Sequence, residues 1–163
     1  MTPPDKSSPA LHLLVQPYLL YTLQYPASTP VPPSLFTGKH PFLSVTSSPG
    51  EITLVIGRDD EAGGTNTTSS AAGDVDLWEE LGMGRPRESA GPWRAFRVRG
   101  PLDLSLTGIL NELTTPLRHA SVPIYALSTW DTDYVLVRSD RLDEAVRALE
   151  ADGWEVIQPG QGA

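Results

Sequence analysis

The most constraining feature of the chain is an apolar stripe that follows one half-buried strand and precedes two more. Leu106, Ile109, Leu110, Leu113 and Leu117 fall at offsets 0, 3, 4, 7 and 11, the repeat of one helix face. Before this run, WRAFRVRG alternates: Phe96 and Val98 point one way, Arg97 and Arg99 the other. After it, IYALST and DYVLVR read as two strands joined through a tight turn at Trp130–Asp131–Thr132. A second helix begins in SDRLDEAVRALEADG, with Asp140 placed to cap it and Asp143 three residues on. Leu142, Ala145, Val146 and Leu149 form its stripe, Gly153 ends it, and WEVI is a closing strand. The order from Trp93 to Ile157 is β-α-β-β-α-β, a ferredoxin-like plan. Ser105 or Thr107 is placed to cap the first helix, and Pro116 predicts a kink or break late in it.

The preceding residues are less regular. Residues 1–10 are rich in Pro and Ser and read as a disordered tail. Leu11 to Tyr25 reads as one long β segment with a bend or edge at Pro17. PASTPVPPSLF is a Pro-rich loop with a single helical turn around Pro33 to Phe36. Phe42 to Thr46 and Ile52 to Ile56 make a hairpin about SSPGE. Residues 57–92 read as a long loop insert, low in complexity at first, with a short helix at Asp76 to Leu81.

Composition removes several classes of function. The net charge of −8 opposes binding to nucleic acid or to an anionic membrane surface. With no cysteine there is no thiol catalysis, disulfide or thiolate metal site. His12, His40 and His119 are scattered without partners at metal spacing, so no metal and no cofactor is expected. Gly82-x-Gly84 lacks a dinucleotide-loop context, and no nucleophile elbow or positioned base is visible. No signal peptide and no run of about 18 apolar residues is seen, so a cytosolic protein is expected. Two units of roughly 80 residues each are near the size at which a core stands alone.

The region from Gly100 to Asp133 gathers groups suited to a zwitterion. A helix N-terminus after Asp103 exposes backbone N–H groups that suit a carboxylate. Gly108 lacks a Cβ and admits a close approach, with Thr107 and Ile109 beside it. Asp133, opening a strand, offers a carboxylate to an ammonium group. The plainer readings are that Asp131 and Asp133 are turn acceptors, Trp130 a packing residue, and Thr107 only a cap.

GPLDLSLTGIL, then IYALSTWDTDYVLV and a closing helix, resembles the ACT domain in the branch of the CASTOR amino-acid sensors. The likeness is strong over 93–157, weaker over 11–57, and absent over 58–92 and at both ends. It implies an α+β fold of two ferredoxin-like (βαββαβ) ACT units: a degenerate one over 11–92, a well-formed one over 93–158, and a tail at 159–163. It also implies a regulatory, non-enzymatic protein that binds a free amino acid at an ACT–ACT interface, with a homodimer as the simplest assembly. Through the ST-aromatic-x-x-D motif the resemblance assigns Asp133 to the ligand, with Thr129 as polar contact and Trp130 as pocket wall. Gly100 and Asp103 match strand-end positions facing the ligand side chain, where a second acid favours arginine or lysine. Two alternatives stand beside this reading: a protein–protein module with a vestigial pocket and an unidentified protein partner, or an enzyme acting on an amino-acid-derived substrate through Asp131 or Asp133.

Overall fold

A computed structural model describes residues 4–59, 72–103 and 107–160. In chain order the elements are β1 (Leu13–Val15), β2 (Tyr18–Pro26), β3 (Leu43–Ser47), β4 (Glu51–Asp59), α1 (Ala72–Leu81), β5 (Glu88–Val98), α2 (Ile109–His119), β6 (Ile124–Ser128), β7 (Asp133–Arg138), α3 (Leu142–Ala151) and β8 (Val156–Ile157). Short 3-10 turns lie at Pro9–Leu11, Pro33–Phe36 and Ser139–Arg141. The chain divides into two units, Met1–Pro17 with Trp93–Ala163 and Tyr18–Pro92. The fold is mixed α+β, each unit a variant of the ferredoxin-like plan.

In the C-terminal unit β7 pairs antiparallel with both β6 and β5. β1 pairs antiparallel with β5 on one side and parallel with β8 on the other. The strand order is thus β6-β7-β5-β1-β8. A plain βαββαβ unit would set β5 against β8; here three N-terminal residues stand between them. The segment read as one strand from Leu11 to Tyr25 is two, because Pro17 has no N–H to continue a ladder. Leu11–Pro17 therefore belongs with the C-terminal unit, not with residues 11–92 as the sequence suggests. Nor is 4–10 a free tail: Lys6 Nζ lies 2.6 Å from Asp152 and 3.6 Å from Glu112, and sits over the Trp154 ring.

The stripe of α2 lands as its period requires. Ile109, Leu113 and Leu117 are buried with Phe96, Val98, Val135 and Val137, and Leu110 packs against them; Leu106 is outside the described residues. Ala145 and Leu149 bring α3 onto the same core, flanked by Leu142 and Val146. Each fully buried Leu or Val contributes about 1.5–3 kcal/mol. The two caps differ from expectation. The N-cap of α2 is Gly108, in the left-handed region at φ 81°, with no side-chain capping bond; Ser105 lies outside the described residues. α3 opens after the 3-10 turn at Ser139–Arg141, so Asp140 makes no cap and Arg141 Nε instead binds Glu144 at 2.6 Å. Pro116 does not break α2, which continues to His119. The missing N–H falls in the last turn, where little helix remains to disturb.

In the N-terminal unit β3 and β4 form the expected hairpin, β2 pairs with β4, and the start of β5 lies on the other side of β2. The order β3-β4-β2-β5 is the ferredoxin-like order of strands. Its first helix is reduced to the turn Pro33–Phe36, since Pro30, Pro32 and Pro33 forbid a longer one. Residues 57–92 are not simply a loop insert: they supply the end of β4, all of α1 and the start of β5. Leu77 and Leu81 of α1 are buried against Leu23, Tyr25, Leu35, Ile52, Leu54 and Ile56. Residues 60–71 of that segment lie outside the described residues. Among the described residues no helix is long and apolar enough to cross a membrane.

Candidate functional site

A cavity of about 270 Å³ in the C-terminal unit is bounded by two pieces of backbone. One is Leu102, Asp103 and the α2 N-terminus at Gly108, Ile109 and Leu110. The other is the β6–β7 connection, Ser128, Thr129, Trp130, Thr132 and Asp133. Of the eight positions singled out in the sequence, six line this space: Asp103, Gly108, Ile109, Thr129, Trp130 and Asp133.

The connection is held by its own polar groups. The Thr129 N–H donates to the Thr132 carbonyl at 2.8 Å. The Thr132 N–H meets Thr129 Oγ1 at 3.4 Å. Thr132 is only 3% exposed, and its hydroxyl donates to the Val98 carbonyl at 2.5 Å, pinning the turn to β5. The Asp131 carbonyl accepts the Leu102 N–H at 2.8 Å, which ties the opposite wall to the same turn.

Gly100 serves this junction and does not line the cavity. At φ 67° it is in the region that glycine favours, and a Cβ there would meet the Asp131 carbonyl oxygen at 3.1 Å. Thr107 is exposed next to Gly108 and is likewise not on the wall. Asp133 stands at the first residue of β7, where Ser128 Oγ donates to its Oδ1 at 2.5 Å. One carboxylate oxygen is thereby oriented by a neighbour, which fixes the direction of the group. Trp130 is 81% exposed at the rim. Ser128, Leu102, Leu110 and Thr132 were not anticipated on the wall. Thr132 had one readable sign, a hydroxyl between two aspartates in a turn leading into an apolar strand.

The electrostatics are one-sided. Two carboxylates, Asp103 and Asp133, line the cavity, and among the described residues no Lys, Arg or His does. The positive element is the helix terminus, whose first N–H groups have no partner within the helix and carry its dipole. The wall thus offers donors to an anionic group on one side and acceptors to a cationic group on the other. Among the described residues no group of His, Asp and Glu side chains is placed to hold a metal ion.

Fold and cavity together define a small α+β module with a cavity at a helix N-terminus. Residues 88–151 match the family described as ACT domain. ACT domains are regulatory ligand-binding modules, typically for amino acids. Among solved structures, a structural-genomics protein from Agrobacterium tumefaciens is similar at 21% identity and TM-score 0.63, over 93% of this chain and 96% of that one. The regulatory subunit of aspartate kinase from Thermus thermophilus is similar at 10% identity and TM-score 0.53, over 86% and 96%. Aspartate kinase from Clostridium acetobutylicum, an allosteric enzyme, is similar at 14% identity and TM-score 0.51; 83% of this chain matches 33% of that one. At these identities the likeness is one of fold.

Proposed function

We propose that the chain is a non-enzymatic regulatory protein that binds a free amino acid in the cavity between the α2 N-terminus and the β6–β7 connection. The observation that carries this is the meeting, in one space, of a helix terminus and an oriented carboxylate. The ligand carboxylate takes the N–H groups at Gly108, Ile109 and Leu110. Its ammonium group takes Asp133, and Thr129 and Trp130 bound the rest. Two acids, with no basic side chain among the described lining residues, favour a ligand of net positive charge, arginine or lysine, with Asp103 toward the side chain.

In this reading the protein is cytosolic, resembles the CASTOR branch in its ST-aromatic-x-x-D motif, and works as a two-fold homodimer. Pairing of ACT units would complete the open side of the cavity, so the ligand would act by favouring that assembly over others. A thermal-shift panel of the twenty amino acids at millimolar concentration tests the proposal. A ligand present at 100 times its dissociation constant stabilises by about 2.7 kcal/mol. A selective response to arginine or lysine is expected; a flat panel on folded protein overturns the reading.

A further inference from the structure

The N-terminal unit has a cavity of its own, of about 480 Å³, with a different chemistry. Its floor is Leu19 and Tyr21 of β2 with Pro41, and its charged wall is Lys39, His40, Arg58, Asp59 and Glu80. Leu19 and Tyr21 continue the inward series of Leu23 and Tyr25, because alternate residues of a strand share a face. The cavity is therefore on the helix-bearing face of the sheet, where this unit has α1 and only a 3-10 turn in place of the other helix.

Arg58 is the informative residue. Ile52, Leu54 and Ile56 are buried in the core, and the next inward position of β4 is Arg58, paired across from Leu19. A strand that places a guanidinium where its period calls for an apolar side chain breaks its own pattern. Such breaks concentrate at functional sites. The break also has a counterpart. Glu80, near the end of α1, directs one carboxylate oxygen to Lys39 Nζ at 2.8 Å and the other to Arg58 Nη2 at 3.7 Å. The hydrogen bond from Lys39 holds the Glu80 carboxyl below its ordinary range against the opposing effect of burial, and Lys39, Arg58 and His40 add to it through their charge. Lys39 and Arg58 thus flank one carboxylate, with His40 and Asp59 also on the wall, beside an apolar and aromatic floor.

We propose that this cavity is a second ligand site, for a small molecule carrying a carboxylate or phosphate group on an apolar body, and that Glu80 occupies the anion position until the ligand displaces it. The site does not depend on the amino-acid reading of the C-terminal cavity, with which it shares no residue. Lys39 and Arg58 bind the oxyanion by charge-assisted hydrogen bonds, and the guanidinium fork suits either head group. Leu19, Tyr21 and Pro41 receive the body.

Calorimetric titration with benzoate and with phenyl phosphate tests this, the tighter probe identifying the head group. Wild-type protein binds at least one probe. Glu80→Gln removes the internal competitor and tightens that probe about 2- to 5-fold, the worth of a partly exposed ion pair. Lys39→Gln with Arg58→Gln weakens it about 10-fold or more. Asp133→Ala leaves it unchanged, which separates this site from the other cavity. Failure of both probes to bind Glu80→Gln at millimolar concentration overturns the proposal. So does binding that Glu80→Gln fails to tighten, which stands as a test even if the double variant does not fold.

Discussion

The two units share a strand plan and differ in what covers it. The C-terminal unit lays α2 and α3 over its sheet, and Leu113, Leu117, Ala145 and Leu149 are wholly buried there. The N-terminal unit has α1 and, where a second helix would stand, a turn that buries only Leu35. The cavities follow from this contrast. In the covered unit the space is confined to the end of a helix, lined by backbone termini and two carboxylates. In the less covered unit it opens on the sheet face, lined by Lys39, His40 and Arg58 together with Asp59 and Glu80. One plan thus carries two pockets with different walls, one acidic and one of mixed charge.

The sharpest way to break the contrast is to remove packing where it is densest. Leu113→Ala is expected to cost about 2–5 kcal/mol in urea denaturation, as a buried Leu whose cavity cannot collapse between two helices and a sheet. Leu35→Ala, on a turn with more room to settle, should cost less than Leu113→Ala; an equal or greater cost would show that the turn does the work of a full helix. Next in size is Thr132→Val, which leaves the buried Val98 carbonyl without its side-chain donor and should cost about 1–3 kcal/mol. The same variant should weaken ligand binding in the C-terminal cavity, since the turn that presents Asp133 loses its anchor. Lys6→Ala should cost less, about 0.5–1 kcal/mol, because its ion pair with Asp152 is partly exposed.

The smallest expected effect depends on pH and on the N-terminal unit. The Glu80 carboxyl is held below its ordinary value of 4.5, so it binds fewer protons folded than unfolded near that pH. Its stabilising contribution is present above 4.5 and is lost as pH falls through the lowered folded value. Glu80→Gln should flatten that part of the acid limb of a stability–pH profile, and an unchanged limb would show that the pair with Lys39 is idle.

Much of the C-terminal unit was legible because its periods are clean. The stripe from Ile109 to Leu117, the alternation at Phe96 and Val98, and the hairpin about Trp130 each name their own element. The place of β1 was not legible. Three residues pairing with strands more than 80 positions away leave no local pattern, and the apolar run on both sides of Pro17 conceals the change of unit. Capping was misread because Asp140 and Thr107 have the right chemistry while the backbone chose a 3-10 turn and a left-handed glycine. Of the wall positions, Thr129, Trp130 and Asp133 were readable from the motif, Gly108 and Ile109 from the expected helix start and Asp103 from a strand end, whereas Gly100 is a backbone contact under the turn. The N-terminal cavity escaped notice because Lys39, Arg58 and Glu80 are far apart in sequence, and only the β4 register and α1 bring them together.

The central claim is that the C-terminal cavity grips both charged ends of an amino acid. The direct measurement is a calorimetric titration of the best ligand of the panel, beside its carboxamide and its deamino analogue, against wild type and Asp133→Ala. The account predicts that each analogue binds wild type about 10-fold or more weakly, and that Asp133→Ala no longer distinguishes the ligand from its deamino form. Equal binding of the deamino analogue to wild type, or undiminished binding of the amino acid to Asp133→Ala, would contradict it.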